Sequence, residues 1–251
     1  MVTAFYLTQR LLQIAMQQLQ QLGNSTWPAM SELYHQNDHE KFVRRIIEVT
    51  EFISFSAGVL LSVLTFINPA FVVLWTGAAT FAGLTLSNIV ILNTGLIAIN
   101  SFWLWCFAGV GMINKAIPIL ILQAVVNVII SWVGAIYFGY LGPAIGTFIS
   151  FLFITQIGTT WLLHKEFSVP IARLTRAWLI PFFLPVCLCI AITYTVGPPQ
   201  MQSWWTLILG ASIYGSIALG SFPFLFVNPK SRNRILLRVR KTLVERFSKK
   251  K

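Results

Sequence analysis

Acidic side chains are scarce in this chain. Seven Asp and Glu stand among 251 residues, beside only three His and three Cys. The acidic positions are Glu32, Asp38, Glu40, Glu48, Glu51, Glu166 and Glu245, and the histidines are His35, His39 and His164. Catalysis inside a membrane needs an acid, a base, a nucleophile or a metal ligand within the apolar segments. The acidic residues lie at or near the ends of the apolar segments and the histidines in charged loops, so the chain reads as a non-enzyme. His35-x-x-x-His39 has the spacing of a helical ligand pair, but it lies in a charged loop without an evident third ligand. Cys106, Cys187 and Cys189 sit in apolar stretches with no C-x-x-C spacing, as small hydrophobes do. No glycine-rich phosphate cradle is present. No metal and no cofactor is expected.

Charge of either sign is missing from residues 52–114, a 63-residue run. With 56% hydrophobic residues, 10% charged residues and a mean hydropathy of +0.74, the composition is that of an integral membrane protein. The net charge of +11 does not point to nucleic acid, because its location is confined. Residues 230–251 carry ten Lys or Arg against Glu245 alone, which is +9 of the total. A nearly neutral body with a basic tail is not a basic, aromatic-studded nucleic-acid fold. The first apolar segment is long, rich in glutamine and lacks a basic leader, so no cleavable signal peptide is expected.

A membrane-crossing helix takes about 20 apolar residues. With Pro, Gly and charge clusters as punctuation, the chain divides into an all-α bundle of seven expected spans, at 3–27, 50–67, 84–109, 117–138, 142–163, 178–196 and 204–227. Charged loops are expected at 35–45 and 164–176, with Asn68-Pro69 closing the second span. Residues 1–229 form the membrane bundle and 230–251 a basic amphipathic tail. Alternating sides places the two charged loops, Lys115 and the tail on one face. That face holds 17 of the 18 Lys and Arg, and the other holds none. By the positive-inside rule it is cytoplasmic, which puts the N-terminus outside and the C-terminus inside a plasma membrane. The tail aligns Leu236, Val239, Leu243 and Phe247 on one edge, as a helix lying on the anionic inner leaflet does.

The first span differs from the rest. At 100° per residue, Arg10, Gln13, Gln17, Gln20, Gln21 and Asn24 fall within an arc of about 100°, one helix face, with Gln18 outside it. Amides in a bilayer need partners or water. Three arrangements supply them: a wet cavity, hydrogen bonding to packed neighbours, or a position on the membrane surface. Arg10 either snorkels to outer headgroups or meets an anionic group at a cavity mouth. Gln123, Asn127 and Ser131 repeat every four residues in the fourth span, and Asn93 and Asn100 share a face of the third. Gly142, Gly146 and Ser150 make a small-residue ridge suited to close helix approach. Pro181 and Pro185 are placed to bend the sixth helix.

Thr8-Gln9-Arg10-Leu11, then Gly23-Asn24-Ser25-Thr26-Trp27-Pro28-Ala29-Met30-Ser31, Asn37-Asp38 and Lys41 resemble a helix and loop of the bacterial polysaccharide and lipid-linked oligosaccharide flippases. These belong to the multidrug/oligosaccharidyl-lipid/polysaccharide exporter superfamily. Tyr140-Leu141-Gly142-Pro143-Ala144-Ile145-Gly146-Thr147 is similar to its turn into a small-residue helix. The resemblance implies the last seven helices of a fourteen-helix exporter, in which two bundles rock about a cationic cavity and pass a diphosphate-linked sugar to the outer leaflet. It implies a partial chain or a second polypeptide supplying the other bundle, because alternating access needs two halves. The expected pathway residues are Arg10, Gln13, Gln17, Gln20, Gln21 and Asn24, with Gln123 and Asn127 behind them. A small-molecule exporter of the same superfamily and a non-transporting membrane scaffold or inactive fragment are the alternatives.

Overall fold

The computed structural model describes residues 2–36, 38–197, 199 and 201–220. The described chain is about 90% helical and has no strands. Its helices are α1 (Val2–Asn24), α2 (Trp27–His35), α3 (His39–Thr76), α4 (Leu84–Gly109), α5 (Ile117–Phe138), α6 (Gly142–Ser150), α7 (Ile157–Phe167), α8 (Ile171–Trp178), α9 (Leu184–Thr195) and α10 (Trp204–Gly220). A π-helical turn at Phe151–Gln156 joins α6 to α7, and another at Leu179–Phe183 joins α8 to α9. Four helical stretches are long and apolar enough to cross a membrane: His39–Thr76, Leu84–Gly109, Ile113–Phe167 and Ile171–Thr195. Helix α1 is not among them, and α10 is apolar but shorter.

The expected bounds of the third and fourth spans coincide with α4 and α5. Elsewhere the helices run differently. The first helix stops at Asn24, where Thr26 donates both its N–H and its hydroxyl to the Gly23 carbonyl, and α2 starts afresh with Pro28 in its first turn. The expected loop 35–45 shrinks to a short turn, because Asp38 caps α3 by accepting from the Lys41 N–H. Those bonds, the Lys41 side chain first, hold the Asp38 carboxyl below its ordinary value. The loop expected at 164–176 is likewise reduced, since α7 runs to Phe167 and α8 begins at Ile171. Residues 221–227 of the seventh span and the tail lie outside the described residues.

Asn68-Pro69 does not close a helix. Helix α3 continues through it for 38 residues, about 57 Å at 1.5 Å per residue. Proline removes one backbone donor, a loss that tertiary packing can outweigh. Here Pro69 is buried, and the wholly buried Asn68 donates its side-chain N–H groups to the Thr8 carbonyl at 3.0 Å and the Ser87 hydroxyl at 2.8 Å. The Asn68 amide thus ties α1, α3 and α4 together beside the weakened turn. Asn68→Leu is expected to cost about 1–3 kcal/mol by removing the two buried hydrogen bonds to Thr8 and Ser87, read as a lower melting temperature of the detergent-solubilised protein.

Helices α3 and α4 form the centre. Helix α1 lies against both, α8, α9 and α10 against α3, and α6 and α7 against α4. The stretch Ile113–Phe167 is a hairpin rather than a single rod. It reverses at Gly139, whose φ of +60° suits glycine. Gly142 then abuts Gly134 and Ala135, Gly146 abuts Ser131, Ser150 meets Gln123, Gly158 meets Ile119, and Lys115 pairs with Glu166. The Gly142, Gly146, Ser150 ridge therefore does what small residues do, bringing two backbones close. At the charged end Tyr34, Phe42, Phe107 and Phe167 form an aromatic cluster with ring centroids 5.1–5.8 Å apart, so α2, α3, α4 and α7 meet there.

Candidate functional site: the outward face of α1

Helix α1 packs through its less polar side. Thr8, Leu12, Ala15, Leu19 and Gly23 recur every three or four residues and are all buried towards α3 and α4. Gly23 is needed at the crossing, since a Cβ there would stand 3.1 Å from the Phe102 Cβ. With that seam facing inward, the amide stripe has to face away from the bundle. Arg10, Gln17 and Gln21 are exposed, and Gln13, Gln20 and Asn24 are half-buried along one edge. Gln18, which falls outside the arc, is exposed on the same outward side, as are Tyr6 and Ile14.

The half-buried edge is anchored to α4. Gln20 Nε2 donates to Ser101 Oγ at 3.1 Å, and Ser101 in turn donates to the Ile97 carbonyl. Asn24 keeps its Oδ1 buried without a hydrogen-bond partner among the described residues. Gln20, Asn24, Ser101, Trp105 and Ile113 line an open groove of about 450 Å³ at this point. The Trp105 ring stacks on Trp27, centroids 6.3 Å apart and 23° from parallel, and both rings are partly exposed. Amides, a hydroxyl and flat aromatic faces together supply hydrogen bonds and a stacking surface for a polar, non-ionic ligand.

Gln123 and Asn127 are not brought to this face. Gln123 donates to Ser150 Oγ at 3.3 Å across the α5–α6 hairpin, and Asn127 Oδ1 accepts from Ser131 at 2.9 Å within α5 itself. Two amides of α4 are spent likewise: Asn93 donates to the Ala144 carbonyl and Asn100 to Thr159 Oγ1, both at 3.0 Å, whereas the buried Asn88 has no hydrogen-bond partner among the described residues. Sequence reasoning missed Ser101 and Trp105. Their four-residue spacing on one face of α4 was a signal, weak because serine and tryptophan are ordinary in membrane helices. It also missed Gln156, 2% exposed in the first π-helical turn with neither amide atom hydrogen-bonded among the described residues, because the π turn has no local sequence mark.

Among the described residues no three His, Cys, Asp or Glu side chains come together as a metal site. Compared with known proteins, the chain matches no family model, no curated protein and no solved structure.

Proposed function

We propose that this chain is one helix bundle of an exporter that carries a lipid-linked oligosaccharide across the plasma membrane, along a wet passage walled by the outward face of α1. The observation that carries this reading is the direction of that face. A membrane helix normally turns its polar side inward, because an unpaired amide in hydrocarbon costs about 2–7 kcal/mol. Here Arg10, Gln17, Gln18 and Gln21 all point out of the bundle. They need water or a second bundle opposite, and a passage between two bundles supplies both.

Seven spans are proposed: α1, α3, α4, α5, the stretch 142–167, the stretch 171–195, and α10. The aromatic cluster and the Lys115–Glu166 pair favour one shared end for the charged segments, and the positive-inside rule makes that end cytoplasmic. In this frame the stripe hydrogen-bonds sugar hydroxyls, Trp27 and Trp105 stack on ring faces, and Arg10 meets the diphosphate. The flippase resemblance of the first helix and loop supplies the substrate class.

The test has two parts. In a variant with the three native cysteines replaced by serine, a cysteine at Gln17 is expected to react with a membrane-impermeant maleimide, and one at Val128, on the 66%-exposed apolar side of α5, is not. Equal protection of both positions removes the wet face. In cells, the chain with its membrane partners is expected to bring lectin-readable lipid-linked sugar to the outer leaflet. Export of small organic cations without sugar translocation replaces this substrate with the small-molecule one.

A further inference from the structure

A second groove lies at the charged end, away from the face of α1. Its walls are the first turns of α3, with Val43, Arg44 and Ile47, and the turn between α7 and α8, with Phe167, Ser168 and Arg173. It is open and has a volume of about 710 Å³. We propose that this groove binds a phosphate-bearing group between Arg44 and Arg173, with an apolar moiety against Val43, Ile47 and Phe167. This inference stands apart from the transport reading and needs only a membrane protein whose charged end meets headgroups or cytosol.

The charges leave room for an anion. Three carboxylates also line the groove: Glu40, Glu48 and Glu166. Glu48 is held by Arg45 at 2.6 Å and Glu166 by Lys115, and both carboxylate side chains are only 15% exposed. Their charge is neutralised by bases that do not line the groove. Glu40 stands 93% exposed, only loosely paired at 3.8 Å with Arg44. Arg173 is exposed and pairs with no carboxylate among the described residues. Two guanidinium groups from different helices are thus left facing one space, with His39 as a third basic group on its rim. Arginine is suited to phosphate because its planar fork donates two parallel hydrogen bonds.

The turn itself is specialised. Ser168 has φ +56°, the one positive φ of a non-glycine residue among the described residues. A side chain in this left-handed region costs about 1–3 kcal/mol and persists where the surroundings enforce it. It ends α7 by donating its N–H to the His164 carbonyl at 2.9 Å, and allows α8 to start with Arg173 within reach of the groove. The apolar wall is the second clue. Free phosphate has no use for Val43, Ile47 and Phe167, whereas a phospholipid places a glycerol ester beside its phosphate.

The phosphate has two possible sources, an anionic phospholipid and inorganic phosphate, and the experiment separates them. The full chain in neutral detergent is titrated with short-chain phosphatidylglycerol or with phosphate-free diacylglycerol of the same chain length, and bound lipid is counted by native mass spectrometry. Phosphatidylglycerol is expected to bind tighter, and R44Q/R173Q to weaken it about tenfold or more. K165Q, which removes a nearby charge that stacks on Trp161 outside the groove, is expected to leave binding unchanged. R44K/R173K is expected to bind better than the glutamine pair and shows that the site survives substitution. Displacement by millimolar inorganic phosphate assigns the site to the free ion, and its failure to displace assigns it to the headgroup. Equal binding of the two lipids, or an R44Q/R173Q protein that binds as K165Q does, overturns the proposal.

Discussion

Leucine at Gln13, Gln17 and Gln21 together is expected to stop translocation while leaving the bundle folded. None of the three amides has a side-chain hydrogen-bond partner among the described residues, so the substitution breaks no internal bond. It places apolar side chains on a membrane helix, which lipid or detergent tolerates at least as well as amide. Folding and insertion should therefore match the parent chain. On the proposed function transport should not, because three hydrogen-bonding groups leave the proposed passage and its wall becomes dry. At about 0.5–1.5 kcal/mol for each lost hydrogen bond, the rate falls at least about tenfold. The appearance of lipid-linked sugar in the outer leaflet is the measurement. A triple variant with parental rates would make α1 a structural helix and the chain a scaffold.

The other large effect is expected in the centre of the bundle, at Gly95 on α4. A Cβ there would lie 2.2 Å from the Phe182 ring, and the ring is wholly buried. Gly58 on α3 faces the same π-helical turn, with a Cβ 2.1 Å from the Pro181 carbonyl. The turn that Pro181 occupies pushes a ring and a carbonyl towards α3 and α4, and only glycine leaves room for them. Gly95→Ala is expected to destabilise the protein by about 3 kcal/mol, the upper end for overpacking. Phe182→Ala should cost about 3–5 kcal/mol through the opposite defect, a cavity. Combined with Phe182→Leu, the Gly95→Ala variant should lose less than the sum of the two, because the smaller side chain vacates the contested space. Thermal unfolding in detergent measures all of these, and strict additivity would show that the two positions do not compete.

The elements that were readable from the sequence are those with local boundaries. Helix α4 follows Gly83 and α5 carries Pro118 in its first turn, and both match the expected limits. The boundaries that failed were those at which a local rule competes with packing. Asn68-Pro69 reads as a stop, yet burial and the Asn68 bonds to Thr8 and Ser87 keep α3 helical. The charged runs read as loops, yet Arg44 and Glu40 lie on α3, because charged side chains at a helix end reach water without breaking the helix. Pro181 is placed to bend a helix, and it sits in a π turn whose carbonyl reaches Gly58, a contact between residues 123 positions apart.

The candidate site divides in the same way. Angular spacing alone put Arg10, Gln13, Gln17, Gln20, Gln21 and Asn24 on one face, because a helix has a single period and side chains cannot leave it. Whether that face turns inward or outward is no property of the helix. It was decided by Leu12, Ala15, Leu19 and Gly23 meeting α3 and α4, since burying the seam leaves the stripe no inward position. Composition determined that this chain belongs in a membrane, the residue period determined which side chains travel together, and the distribution of charge separated one end from the other. Only the tertiary structure gave Gln123 a partner on a neighbouring helix, joined Arg44 to Arg173 across a groove and turned the amides of α1 outward, because each of these depends on partners distant in sequence.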